Sequence, residues 1–164
     1  MKLSVKSIIL IFLLILILIF LLYRLAQPVM NDVSTSLDAP TEFAGADRNY
    51  VTGKEDLQRK HYPEVMPLKL DQSPDVIYKK INDLIKSHYK WEITFENKEQ
   101  FKLEAVSKSR FLKFKDRVVI QVQAFETGSV VNMRSRSDLG RSDFGANAKR
   151  IVEFLTSLRA EVEK

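Results

Sequence analysis

Residues 7–23 read SIILIFLLILILIFLLY, an uninterrupted uncharged run with no polar face. A helix rising about 1.5 Å per residue carries these seventeen residues through about 25 Å, and Leu25 and Ala26 extend them toward a ~30 Å hydrocarbon core. Lys6 and Arg24 bound the run, where long stems let their charges reach the headgroups. The pattern predicts an uncleaved signal-anchor over residues 1–27, entering the membrane through residues 7–23. A cleaved signal peptide is the rival. Its apolar region is ordinarily shorter, and a cut after Ala26 would put Arg24 at position −3, where a small residue belongs. Lys2 and Lys6 precede the run, and after Arg24 the next cation is Arg48. Positive residues stay in the cytoplasm, so the expected topology sends the C-terminal part across. In a Gram-negative cell this describes a single-pass inner-membrane protein with a periplasmic domain.

The pattern then changes. From Gln27 to Arg59 no apolar period persists, and residues 28–59 are expected to form a tether. The folded domain is expected over 60–164. Ser73-Pro74-Asp75 is a helix start, and Ile77, Ile81, Leu84, Ile85 and His88 follow at helical spacing. Alternation then predicts four strands. Trp91, Ile93 and Phe95 face inward on the first, Phe101, Leu103 and Ala105 on the second, Val118, Ile120, Val122 and Ala124 on the third, and Val131 and Met133 on the fourth. Phe144, Ala148, Ile151, Leu155, Leu158 and Val162 form the stripe of a closing helix. The expected fold is α+β: a helix, a four-stranded antiparallel meander and a C-terminal helix, with both helices packed on one sheet face.

Composition narrows the chemistry. The 164 residues include no cysteine, which removes disulfides, thiol catalysis and thiolate metal sites, and there are only two histidines. The net charge of +5 is concentrated around the apolar run, since Lys2, Lys6 and Arg24 account for three of the charges. Beyond residue 25 there are 23 Lys and Arg against 21 Asp and Glu, too even a balance for a nucleic-acid binder. Nothing calls for a cofactor. Gly140-Arg141-Ser142-Asp143-Phe144-Gly145 lacks the spacing of a nucleophile elbow. Asp138 and Asp143 lack a calcium loop and read as turn formers. No acid stands at triad spacing from His61 or His88, and His88 reads as a boundary residue of its helix.

Several segments together carry a resemblance: Tyr62-Pro63 with Pro67-Leu68, Arg110-Phe111 with Phe114-Lys115-Asp116, Arg134-Ser135-Arg136-Ser137, and the block from Gly140 to Ile151. The chain resembles the family known as domain of unknown function 1499 over roughly residues 60–160. Lys90 and Arg117 stand where that family has a glycine before the tryptophan and a second acid. The family brings no established chemistry, so the resemblance implies a domain boundary and no catalytic residue.

The outward sheet face holds the candidate site. Pairing the third and fourth strands across a turn at 126–129 sets Gln121 opposite Arg134 and Val119 opposite Arg136. Lys108, Arg110, Arg117, Arg134 and Arg136 then gather at one end. Like charges facing each other are unfavourable unless neutralised. The cations either pair with Asp116, Asp138 or Asp143 or are simply solvated, or they form a site for a phosphate, a lipid headgroup or an acidic protein segment. On the second reading, glutamines at Arg110, Arg134 and Arg136 would leave stability intact. The strand–helix junction reads as structural. Gly140 is expected to turn the chain at positive φ, Ser142 or Asp143 to cap the helix, Gly145 to lie in its first turn, and Asn147 and Arg150 to tie it back. Two functions follow as expectations: a membrane-tethered binding or accessory domain for an anionic ligand or envelope protein, or an envelope enzyme acting on a phosphate-containing substrate.

Overall fold

The computed structural model describes residues 4–26, 28–45, 51–108 and 114–164. The uncharged run becomes one helix, α1 (Val5–Ala26), long and apolar enough to cross a membrane, and none of its residues is buried against the protein. The rest is α+β. In chain order it contains β1 (Asp32–Ser34), α2 (Glu55–His61), β2 (Leu68–Leu70), α3 (Pro74–Leu84) with a π turn over Ile85–Tyr89, β3 (Glu92–Asn97), β4 (Lys102–Lys108), β5 (Lys115–Phe125), β6 (Gly128–Ser137) and α4 (Ala146–Val162).

The alternating segments form the antiparallel meander β3-β4-β5-β6, and α3 and α4 cover one face of it. Leu103, Ala105, Val118, Ile120, Val122, Val131 and Met133 line the inner face. Against them pack Ile77, Ile81 and Ile85 from the first helix and Ile151, Phe154, Leu155 and Leu158 from the last. Two strands beyond the expected four extend the sheet. β1 and β2 are three residues each, and they share the outer edge of β6, pairing with Arg134–Arg136 and Ser129–Val131 respectively.

The segment read as a tether therefore does not stand off from the domain. Met30, Val33, Phe43 and Val51 are buried, and the hydrogen bonds Ser137 N–H to Asn31 O and Asp143 N–H to Met30 O stitch its start into the loop before α4. The 10-residue β6 has backbone groups that β5 alone cannot satisfy, and a partner on the other edge removes that cost.

Several local expectations shift: Phe144, expected on the stripe of the closing helix, precedes that helix and is exposed. The β5–β6 turn is two residues shorter than expected, with Phe125 opposite Gly128, so Gln121 faces Asn132 and Val119 faces Arg134. A slip of two preserves which side chains face inward. Gly128 itself is forced, because a Cβ there would come within 2.1 Å of the Leu70 carbonyl oxygen. In β3 a bulge between Ile93 and Phe95 sets Phe95 opposite Glu104, and Phe95 is exposed instead of facing the core. The π turn likewise rotates His88 off the buried stripe into an exposed position.

Candidate functional site

Alternation along β4, β5 and β6 points Lys108, Lys115, Arg117, Arg134 and Arg136 away from the helices. Two pairs of these cations stand directly opposite across strands, Lys108 with Lys115 and Arg117 with Arg136. Arg110 lies outside the described residues.

The face is only partly open. Arg134 is completely buried, and its Nε and Nη2 donate to Asp32 Oδ1 and Oδ2 at 2.9 and 2.7 Å. Its Nη1 donates to the Thr41 carbonyl at 3.2 Å. A two-point carboxylate clamp with a third acceptor satisfies a guanidinium that water cannot reach. Arg134 is thus an internal tie between β6 and β1, so it is not a surface cation, and its partner comes from the supposed tether instead of Asp116, Asp138 or Asp143. Phe43 roofs this part of the face, its ring 5.1 Å from the Arg134 guanidinium carbon and 4.9 Å from that of Arg136, which is also buried. The Ala44 N–H donates to Glu104 beside it.

Nearer the end of the sheet the cations are exposed. Lys108 pairs with Glu92 at 2.9 Å and, with a smaller contribution from Lys115, holds the Glu92 carboxyl below its usual range. Arg117 pairs with Asp138 at 3.1 Å. Exposed pairs of this kind contribute little and exchange readily for other partners. Between them lies a cleft of about 270 Å³ whose lining includes Phe43, Thr94, Glu104, Lys115, Arg117 and Asp138. Lys115 and Phe43, neither of them among the site residues singled out in the sequence, are part of it. Phe43 sits in a stretch with no periodicity, so only its tertiary contacts mark it.

The junction after β6 is a polar knot. Gly140 has φ +86 and Gly145 φ +81. Gly145 is the N-cap residue of α4, not a residue of its first turn. Asp143 reaches across it, Oδ1 accepting from Gly145 N–H at 3.0 Å and Oδ2 from Asn147 N–H at 2.7 Å. Burial pushes the Asp143 carboxyl above its usual range, and those N–H donors pull the other way. Ser142 Oγ donates to the Pro28 carbonyl at 3.2 Å. The buried amide of Asn147 donates to the Asn31 carbonyl and to Ser137 Oγ, both at 3.0 Å, while its oxygen accepts from Ser135 Oγ at 2.7 Å. Arg150 donates to Ser135 Oγ at 2.8 Å and forms an ion pair with Asp116. Asp116, Asp138 and Asp143 all have protein partners, so none of the three is held ready as an isolated base.

A larger cleft of about 600 Å³ separates α3 from α4, with Lys80, Asp83, His88 and Glu161 at its edge. The hydroxyls near it are engaged: Ser87 donates to the Asp83 carbonyl, and Tyr89 and Ser157 share a hydrogen bond. Among the described residues no three His, Asp or Glu side chains converge as metal ligands.

An apolar N-terminal helix followed by an α+β domain, whose post-helical segment is woven into its last loop, is the class of protein this geometry defines. The sequence matches the family described as "Protein of unknown function (DUF1499)" over residues 32–158, and the chain belongs to that family. The match begins at β1, inside the segment expected to be a tether, and covers the Asp32–Arg134 pair and the polar knot apart from Pro28 and Asn31. Among curated proteins none matches the chain.

Proposed function

We propose that this protein is a single-pass, membrane-anchored binding domain that works on the far side of the inner membrane and holds an anionic ligand at the exposed end of its outward sheet face. One observation carries this reading: two like-charged cross-strand pairs, Lys108–Lys115 and Arg117–Arg136, each give one member, Lys115 and Arg117, to the lining of one cleft. Like charges set side by side cost stability, and a ligand carrying phosphate or carboxylate oxygens removes that cost while accepting charge-assisted hydrogen bonds. The exposed partners Glu92 and Asp138 can swing aside, whereas the buried Asp32 cannot. Lys115 and Arg117 are therefore the ligand-facing cations, with Lys108 beside Lys115 and the buried Arg136 beside Arg117. The positive residues ahead of α1 favour the topology, and α1 itself supplies the anchor.

Thermal unfolding of the full-length protein in a neutral detergent, with inorganic phosphate against chloride at matched ionic strength, tests the reading. Phosphate at a hundredfold excess over its Kd stabilises the folded state by about 2.7 kcal/mol. Lys115→Gln and Arg117→Gln should abolish the phosphate-specific rise and leave stability without phosphate unchanged or higher. An equal phosphate response in wild type and both variants would refute the site.

A further inference from the structure

The loop between β6 and α4 sits where α1 meets the domain. Only residue 27 separates the last residue of α1, Ala26, from the buried Pro28, and chain at ~3.6 Å per residue at most spans about 7 Å between them. The loop is fastened to that entry point by three hydrogen bonds: Ser142 Oγ to Pro28 O, Asn31 Nδ2 to Gly140 O at 2.7 Å, and Asp143 N–H to Met30 O at 3.0 Å. From α1, the Arg24 guanidinium lies 3.7 Å from the centre of the Phe144 ring. The loop is thus level with the end of the apolar helix and held there.

This rim is also apolar where a surface facing only water need not be. Leu139 is 69% exposed, Val29 61% and Phe144 39%. They are three of the seven large apolar side chains that the described part of the domain leaves exposed. Arg141 is exposed between Leu139 and Phe144. Aliphatic and aromatic side chains mixed with arginine suit the boundary between headgroups and acyl chains.

We propose that this rim, Val29 with Leu139, Arg141 and Phe144, docks on the lipid bilayer that α1 enters, with Arg24 and Arg141 among the headgroups. The proposal rests on α1 being retained as an anchor. The occupant is lipid because the end of a membrane-crossing helix brings the bilayer surface to this loop whatever else the domain meets. Docking fixes the domain's tilt, since the loop is bonded on one side to the chain leaving α1 and on the other to α4 and β6.

The absence of native cysteine makes the test direct. Single variants Leu139→Cys and Phe144→Cys, with Thr127→Cys at the opposite end of the β5–β6 hairpin, are labelled with a polarity-sensitive fluorophore in the full-length chain. Each is reconstituted into phosphatidylethanolamine–phosphatidylglycerol vesicles carrying nitroxide-labelled lipid. Blue-shifted emission and several-fold stronger quenching at 139 and 144 than at 127 are expected. Equal, water-like emission at all three positions on protein that floats with the vesicles would overturn docking and leave the anchor standing. Protein that fails to float overturns the anchor and docking together. Shielding of 139 only after a membrane-protein extract is added, without lipid quenching, would give the rim to a protein and overturn the proposal.

Discussion

Gly145 and Asp143 show how much depends on a few atoms. At φ +81 any side chain at Gly145 is strained, and a Cβ would lie 3.3 Å from Tyr62 Oη. Gly145→Ala should cost about 1–2 kcal/mol in denaturant unfolding. Asp143→Ala should cost about 0.5–2 kcal/mol through loss of the cap. The Asp143 carboxyl has its pKa raised by burial above the ordinary 3.8, so the folded state binds that proton more tightly than the unfolded state. Its contribution to stability therefore increases as pH falls through the folded pKa toward the ordinary value, and declines as pH rises. Relative to Asp143→Asn, the wild type should gain stability on acidification from neutrality; a relative loss would contradict the buried carboxylate. Tyr62 gives the alkaline counterpart. Burial first, and the Asp143 charge second, push its hydroxyl up to about 12 from 10.0. That stability is present below pH 10 and is lost as pH climbs toward 12. Among the described residues the buried Tyr62 Oη has no hydrogen-bond partner. Tyr62→Phe should match or exceed wild-type stability at neutral pH and should lose less above pH 10. The glycines and acid of the junction are conspicuous in the sequence. The reach of Asp143 across Gly145, which moves the helix start to Ala146, is a matter of side-chain geometry that spacing does not carry.

The elements divide according to where their stability comes from. α3, α4 and strands β4 to β6 repeat apolar residues often enough for the period to show, and the meander with both helices on one face follows from it. β1 has a single inward residue, Val33, between Asp32 and Ser34. Three residues hold no readable period, and the strand exists because β6 and Arg134, 102 positions away, are there to receive it. Asp32→Ala should destabilise the domain by about 3–5 kcal/mol, because it removes the two-point carboxylate clamp from a buried guanidinium. The double change Asp32→Leu with Arg134→Met should recover much of that loss, and urea unfolding of the three proteins would check it. Equal loss in single and double variants would show that β1 matters through packing alone. The same burial means that glutamine at Arg134 is destabilising, whereas Lys115 and Arg117 on the exposed end tolerate it.

For the chain as a whole, charge and length were legible in the sequence: a charge-free run flanked by cations, then a nearly balanced domain. The distance between the two was not. A polar, aperiodic stretch reads as a spacer, yet here its first residues are bonded into the loop before α4, so the domain starts where α1 ends. The apolar rim therefore sits beside the end of α1, and no long flexible linker separates α1 from this part of the domain. The central claim is that α1 anchors this domain on the far side of the membrane. Thr127, exposed at the tip of the β5–β6 hairpin, is the position from which to ask. With Thr127→Cys as the only thiol in the chain, a membrane-impermeant maleimide is added to spheroplasts with an intact inner membrane, and the mass of the labelled product is read. The full-length chain, Met1 to Lys164, should carry the label before lysis. Labelling only after lysis, or a labelled product beginning near Gln27, would contradict the claim.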